Sequence, residues 1–152
     1  MHKIVISDTS CFIVLGKINQ LGLLQKLYGR ILTTNEIAEE FGEQLPEWVD
    51  VLSLKDKSKQ QLLELYVDRG ESSAMALAIE LEADLIILDD HKARVVARKL
   101  DLNVTGTLGV LISAKKQGFF KSIKPFLRDL KKTNFRITED LEKEALKQAG
   151  EL

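Results

Sequence analysis

A single cysteine, Cys11, is the only thiol in this sequence of 152 residues. It excludes an intramolecular disulfide and a cysteine-based zinc site. Such scarcity fits a reducing compartment, so a cytoplasmic location is expected. Cys11 itself reads as a small buried apolar residue. Histidine is nearly as rare, with only His2 and His91. Neither has a suggested orienting partner, so no histidine-activated serine or cysteine nucleophile is implied. His2, beside the terminus, is uninformative. There is no GxGxxG string and no P-loop, which removes the usual signatures of dinucleotide and nucleotide triphosphate binding. No apolar run approaches the ~20 residues of a membrane helix. Met1-His2-Lys3 leads directly into strand-like residues, so no signal peptide is expected. With no repeat, low-complexity segment or linker, residues 1–152 are expected to form one domain with a core of its own.

What is present is charge, unevenly placed. The chain carries 22 Lys and Arg against 23 Asp and Glu, a net of −1. Residues 1–90 hold 8 basic and 16 acidic side chains, a net of −8. Residues 91–136 hold 12 and 2, a net of +10, and residues 137–152 hold 2 and 5, a net of −3. An acidic half beside a basic stretch suits a metal site next to a phosphate-binding surface.

The stretch Ala83-Asp84-Leu85-Ile86-Ile87-Leu88-Asp89-Asp90 organises the rest. Four consecutive apolar residues are too few for a free-standing helix and suit a strand buried on both faces. Two carboxylates stand where that strand ends. Ile4-Val5-Ile6-Ser7 followed by Asp8-Thr9-Ser10 repeats the arrangement. Further strands are read at Arg30–Leu32, Trp48–Leu54 (alternating, as at a sheet edge) and Leu102–Thr105. Between them fall helical stretches from Cys11, from Ile18 to Leu27, and from a Thr33/Glu36 capping box to Phe41. Others are Lys57–Val67, Glu71–Leu81 after a turn at Asp68-Arg69-Gly70, and His91–Leu100 with Val95 and Val96 inward. The last three are Leu108–Lys116, a helix starting at Pro125, and Glu139–Ala149 capped by Thr138. Strands alternating with helices through short loops predict an α/β fold with a mainly parallel sheet, its first and fourth strands adjacent and central.

In such sheets ligands bind beyond the carboxyl ends of the strands, where the strand order reverses. Asp8, Asp89 and Asp90 are therefore candidates for a hard-cation site, since Mg²⁺ takes oxygen ligands. Glu71, in the first turn of its helix, is placed to reach the same edge; its other role is to complement the helix dipole. Glu40 lies one turn beyond Glu36, bordering the face marked by Ile37 and Phe41. Glu36 is occupied by the capping box, and Glu39 reads as solvated. Thr9 and Ser10 either steady a ligand or phosphate or cap the helix that follows. Lys92, Arg94, Arg98, Lys115 and Lys116 form either a guide for a polyanionic backbone or a solvated basic face.

The strings IVISDTS, ILTTNEIAEEF, RGESSAMALA, LIILDDHKARVVARKL and VTGTLGVLISAKKQG together resemble the PIN domain family, closest to its VapC-like branch. The resemblance covers Met1 to about Gly150. It implies a three-layer α/β/α sandwich and Mg²⁺- or Mn²⁺-dependent RNA cleavage. Carried over residue by residue, it implies site roles for Asp8, for Glu40 with Glu36 in reserve, and for Glu71, where many members carry aspartate. It adds Asp90 or Asp89. The implied mechanism is hydrolysis by a metal-activated water, with RNA as substrate, an antitoxin protein as partner and a homodimer as assembly. Glutamate at 71 leaves open a catalytically impaired module that only binds RNA or protein. A phosphoacceptor receiver domain would need a lysine at the end of the last strand, where Thr105-Gly106 stands instead.

Overall fold

Strands β1 (Val5–Ser7) and β4 (Leu85–Ile87) lie side by side in the middle of the sheet, paired Val5 to Leu85, Ile6 to Ile86 and Ser7 to Ile87. Their position follows from composition: Val5, Ile6, Ile86, Ile87 and Leu88 are all buried, and only a central strand covered on both faces removes such a run from water. Each fully buried aliphatic side chain contributes ~1.5–3 kcal/mol through that removal. The computed structural model describes residues 3–152; His2 lies outside the described residues.

From β1 the chain forms α1 (Thr9–Lys17), α2 (Leu23–Tyr28), β2 (Ile31–Thr34), α3 (Asn35–Phe41) and β3 (Val49–Leu52). It then passes through α4 (Ser58–Leu63) and α5 (Arg69–Leu81) into β4. After β4 come α6 (His91–Lys99), β5 (Val104–Thr105), α7 (Thr107–Lys116), α8 (Lys124–Lys131) and α9 (Glu139–Gln148). The five strands are all parallel in the order β3-β2-β1-β4-β5, with helices flanking the sheet as an α/β/α sandwich. No helix is long and apolar enough to cross a membrane among the described residues.

This order places the switch point between β1 and β4: the chain leaves β1 toward β2, and leaves β4 toward β5. The two following helices diverge and open a crevice at the carboxyl edge. Hydrogen bonds carry the sheet into that crevice. Asp8 N–H donates to Ile87 O at 3.0 Å, and Leu88 N–H to Thr105 O at 2.9 Å.

Several local expectations need correction. The cap of α3 is Thr34, whose hydroxyl accepts from Ile37 N–H at 3.2 Å, not Thr33. Thr33 belongs to β2, and its hydroxyl donates to Ser7 O at 3.0 Å. Two adjacent threonines competed for one cap, and the inward side chain was claimed by the neighbouring strand. Asp68-Arg69-Gly70 is the start of α5 rather than a separate turn. Val95 is exposed, and small Ala93 and Ala97 form the buried face of α6. Asp101, at φ 60°, turns the chain just before β5, which is only two residues long. Thr138 caps α9 as expected, and Pro125 is the second residue of α8, which begins one residue earlier at Lys124.

Candidate active site at the switch point

Asp8 follows β1 immediately and is the N-cap of α1. Its Oδ1 accepts from Cys11 N–H at 2.9 Å, and its Oδ2 accepts from Asp89 N–H across the crevice at 3.1 Å. Capping of α1 thus falls to Asp8, not to Thr9 or Ser10. Burial, reinforced by the nearby Asp89 charge, pushes the Asp8 carboxyl well above the usual aspartate range, against the pull of those two N–H groups. The same surroundings raise the Cys11 thiol, burial first and then Asp89 and Asp8, so it stays protonated.

Asp89 is pinned from the other side. Its Oδ1 accepts from Thr107 N–H at 2.7 Å and its Oδ2 from the Thr107 hydroxyl at 2.6 Å, at the start of α7. Burial raises its pKa, while Thr107 and the Arg94 guanidinium hold it down. Gly106 makes this approach possible: a Cβ there would stand 2.9 Å from Asp89 Oδ1 and 3.0 Å from Arg94 Nη1. Asp90 caps α6 through Ala93 N–H at 2.9 Å.

The first turn of α5 is tied over the same edge by a short relay. Thr34 and Ser73 hydroxyls meet at 2.7 Å, and the Ser73 hydroxyl donates to Gly70 O at 2.7 Å. Glu71 is thereby presented to the crevice, half-buried, with its pKa raised to about 7 by burial and then by Asp68 and Asp90. Glu40, although exposed as a residue, sets its carboxyl against Gly70, where any Cβ would collide with it. Partial burial and Asp68 raise its pKa, while the Thr9 hydroxyl and Arg69 lower it.

Asp8, Thr9, Ser10, Glu40, Asp68 and Glu71 line one cavity of about 50 Å³. That exceeds the ~10–15 Å³ needed for one water. Asp68, Glu71, Asp90 and Lys92 line a second, more open depression beside it. The structure therefore brings together Asp8, Glu40 and Glu71, and sets Asp89 next to Asp8 and Asp90 next to Glu71. Glu36 is buried in the first turn of α3 and does not line the cavity that Glu40 and Asp8 share. Glu39 faces solvent, 3.3 Å from Arg69.

Asp68 was not among the sequence candidates. It accepts from Glu71 N–H at 2.8 Å as the cap of α5. The signal was available in Asp68-Arg69-Gly70-Glu71, a capping residue followed three positions later by glutamate. Thr107, which orients Asp89, had no comparable local mark. Arg94 and Arg98 line a groove adjoining the carboxylates. Lys115 and Lys116 do not: they end α7, eight and nine residues from the crevice end of a helix rising ~1.5 Å per residue. Lys115 Nζ donates to Ala149 O at 2.5 Å and pairs with Glu151 at 3.0 Å. Its charge ties down the C-terminal segment and is not available to a polyanion.

The donor set is oxygen throughout, as a hard divalent cation requires. An oxygen that accepts one N–H retains a second lone pair, so the pinned Asp8 and Asp89 are oriented rather than consumed. The upward pKa shifts record negative charge crowded into a desolvated place, which a dication would offset. Among the described residues, however, no three of Asp, Glu, His and Cys stand in one group arranged to hold a metal ion.

A parallel α/β/α sandwich with carboxylates gathered at its switch point defines an acidic-site protein of the kind suited to divalent cations. A family model described as a PIN domain matches residues 4–151. The chain belongs to the PIN domain family, whose members are typically nucleases and generally use divalent metal ions. No curated protein matches the chain.

Proposed function

We infer that the protein is a divalent-metal-dependent endoribonuclease of the VapC-like branch, the toxin of a toxin–antitoxin pair, hydrolysing RNA phosphodiesters. The observation that carries this reading is the gathering of Asp8, Glu40 and Glu71, with Asp68, around one cavity at the switch point. Asp8, Glu40 and Glu71, together with Asp90 or Asp89, would hold Mg²⁺ or Mn²⁺. When bound, such an ion supplies Lewis acidity and neutralises charge developing on the phosphate. The protein's own contribution is placement. Two N–H groups fix Asp8, Thr107 fixes Asp89, and the Thr34–Ser73 relay fixes the turn bearing Glu71. Arg94, beside Asp89, sets a cation at the border of the acidic site, where a phosphate needs one.

The reading includes an antitoxin that covers the crevice and a homodimer. Leu62, Leu65 and Tyr66 support a partnered surface: they are 65%, 76% and 58% exposed, beside the depression lined by Glu71 and Asp90. Leu63, from the same stretch, is buried and belongs to the core. Light scattering of purified protein at micromolar concentration should give twice the monomer mass.

Cleavage of single-stranded or loop RNA in Mn²⁺, abolished by EDTA and by Asp90→Ala, tests the activity. A second reading, a PIN-fold module that binds RNA or protein without cleaving, is favoured by there being no three-residue metal group among the described residues. Binding of RNA with no cleavage of a broad RNA panel in Mn²⁺ would establish it instead.

A further inference from the structure

A groove adjoins the carboxylates and extends well beyond the residues assigned to the chemistry above. It encloses about 660 Å³, within the ~300–1,000 Å³ of ligand-binding pockets. Asp89 and Asp90 stand at one part of its lining, and Leu141, Glu144 and Gln148 of α9 at another. Four cations contribute: Lys17 from α1, Arg94 and Arg98 from α6, and Arg136 from the segment between α8 and α9. None of the four belongs to an ion pair among the described residues. Arg94 Nε is buried with no hydrogen-bond partner, an N–H whose desolvation nothing in the fold offsets. Glu144, the remaining acid of the lining, accepts from Gln148 Nε2 at 3.0 Å.

Between these charges the groove carries apolar side chains, with Thr107, Thr133 and Asn134 among them. Ile13 and Leu141 are each 38% exposed, and half-buried Phe135 lies next to Arg136 in the lining. Cations sharing one groove with aromatic and aliphatic side chains match a single nucleic-acid strand, whose phosphates seek guanidinium groups and whose unstacked bases seek flat apolar faces. A duplex keeps its bases stacked inside and presents only its backbone and groove edges.

We propose that this groove binds a single-stranded RNA segment flanking the cleaved phosphate, with Arg98 and Arg136 on backbone phosphates and Phe135 against an unstacked base. The direction of the strand, from the groove toward Asp89 and Asp90, rests on the nuclease reading; the binding does not.

The test is fluorescence anisotropy of a labelled 12-nucleotide single-stranded RNA in EDTA, where metal-dependent cleavage cannot contribute. Arg98→Ala with Arg136→Ala should lower affinity on the order of tenfold. It should also flatten the dependence of log affinity on log salt by about 1.4, two contacts at ~0.7 each. Arg128→Ala, on the exposed face of α8 and outside the groove, removes one positive charge elsewhere and should alter affinity less than twofold. Phe135→Leu keeps apolar bulk for folding and removes the ring; it should weaken single-stranded RNA several-fold and leave duplex RNA unchanged. Wild-type affinity in the Arg98/Arg136 double variant overturns the proposal, as does an equal loss of affinity for poly-glutamate. Cleavage by wild type with unaltered cleavage and binding in the double variant sinks the groove alone. Loss of binding in that variant, with no RNA cleaved by wild type, supports the groove and sinks the nuclease reading.

Discussion

Glu71→Gln separates the electrostatics of the crevice from its scaffold. The α5 cap uses the backbone N–H of residue 71, which donates to Asp68, so the substitution leaves the cap intact. It removes a charge that burial, Asp68 and Asp90 all oppose, and that opposition raises the carboxyl from an ordinary 4.5 to about 7. At ~1.4 kcal/mol per tenfold change in proton affinity, the full shift corresponds to ~3 kcal/mol. The side chain is only half-buried, so solvent screening reduces this to roughly 1.5 kcal/mol. The sign follows from linkage. The folded pKa lies above the unfolded one, so between about 4.5 and 7 the folded protein holds a proton that the unfolded chain has released. The stability tied to that proton is fully present below 4.5 and lost as pH rises through 7. Glutamine, uncharged throughout, escapes the loss. In EDTA at pH 8, Glu71→Gln should therefore melt roughly 3–6 °C above wild type, given ~2–4 °C per kcal/mol at this size. At pH 5 the difference should largely vanish. Thermal denaturation followed by circular dichroism at both pH values measures it. An equal difference at the two pH values, or a less stable variant at pH 8, would refute the reasoning.

Other perturbations test neighbouring parts of the site. Wild type without metal should gain stability as pH falls from 8 to 5.5, because Glu71 takes up its proton at about 7 in the folded protein; saturating Mn²⁺ should flatten that profile in melting experiments. Asp8→Asn retains one acceptor oxygen for two N–H donors, so relief of repulsion is offset by a lost hydrogen bond worth about 1 kcal/mol. Its melting temperature should stay within a few degrees of wild type while the Mn²⁺-induced rise and RNA turnover disappear. Gly70→Ala gains up to ~1 kcal/mol of helix propensity but displaces the Glu40 carboxyl, so turnover should drop at least tenfold with unchanged or raised stability. Glu39→Ala, which breaks only an exposed contact with Arg69, should leave turnover within twofold in the same assay.

Much of this architecture is legible locally. The apolar runs at Val5–Ile6 and Leu85–Leu88 identify buried strands because no half-exposed element accommodates unbroken hydrophobicity. The aspartates that follow them mark the carboxyl edge. Pro125 in the first turn of α8 and Thr138 as the cap of α9 mark helix starts by their own backbone and side-chain chemistry. Between Thr33 and Thr34 the local rules tie, and a hydrogen bond to Ser7 on the next strand breaks the tie.

Neighbourhood is another matter. That Asp8 accepts from Asp89 N–H, that Thr107 holds Asp89, and that Asp68 joins the carboxylates all depend on strand order and on helices crossing the sheet edge. The same holds for the basic stretch, read along the chain as one surface. Folding sends Lys115 to Glu151 and brings Lys17 and Arg136 to Arg94 and Arg98. Periodicity and capping act over a few residues of contiguous backbone, so sequence alone determined the elements and the residue types at their ends. Desolvation and charge pairing act through space, so only the tertiary structure decided which carboxylates crowd together and which cations remain open to a ligand.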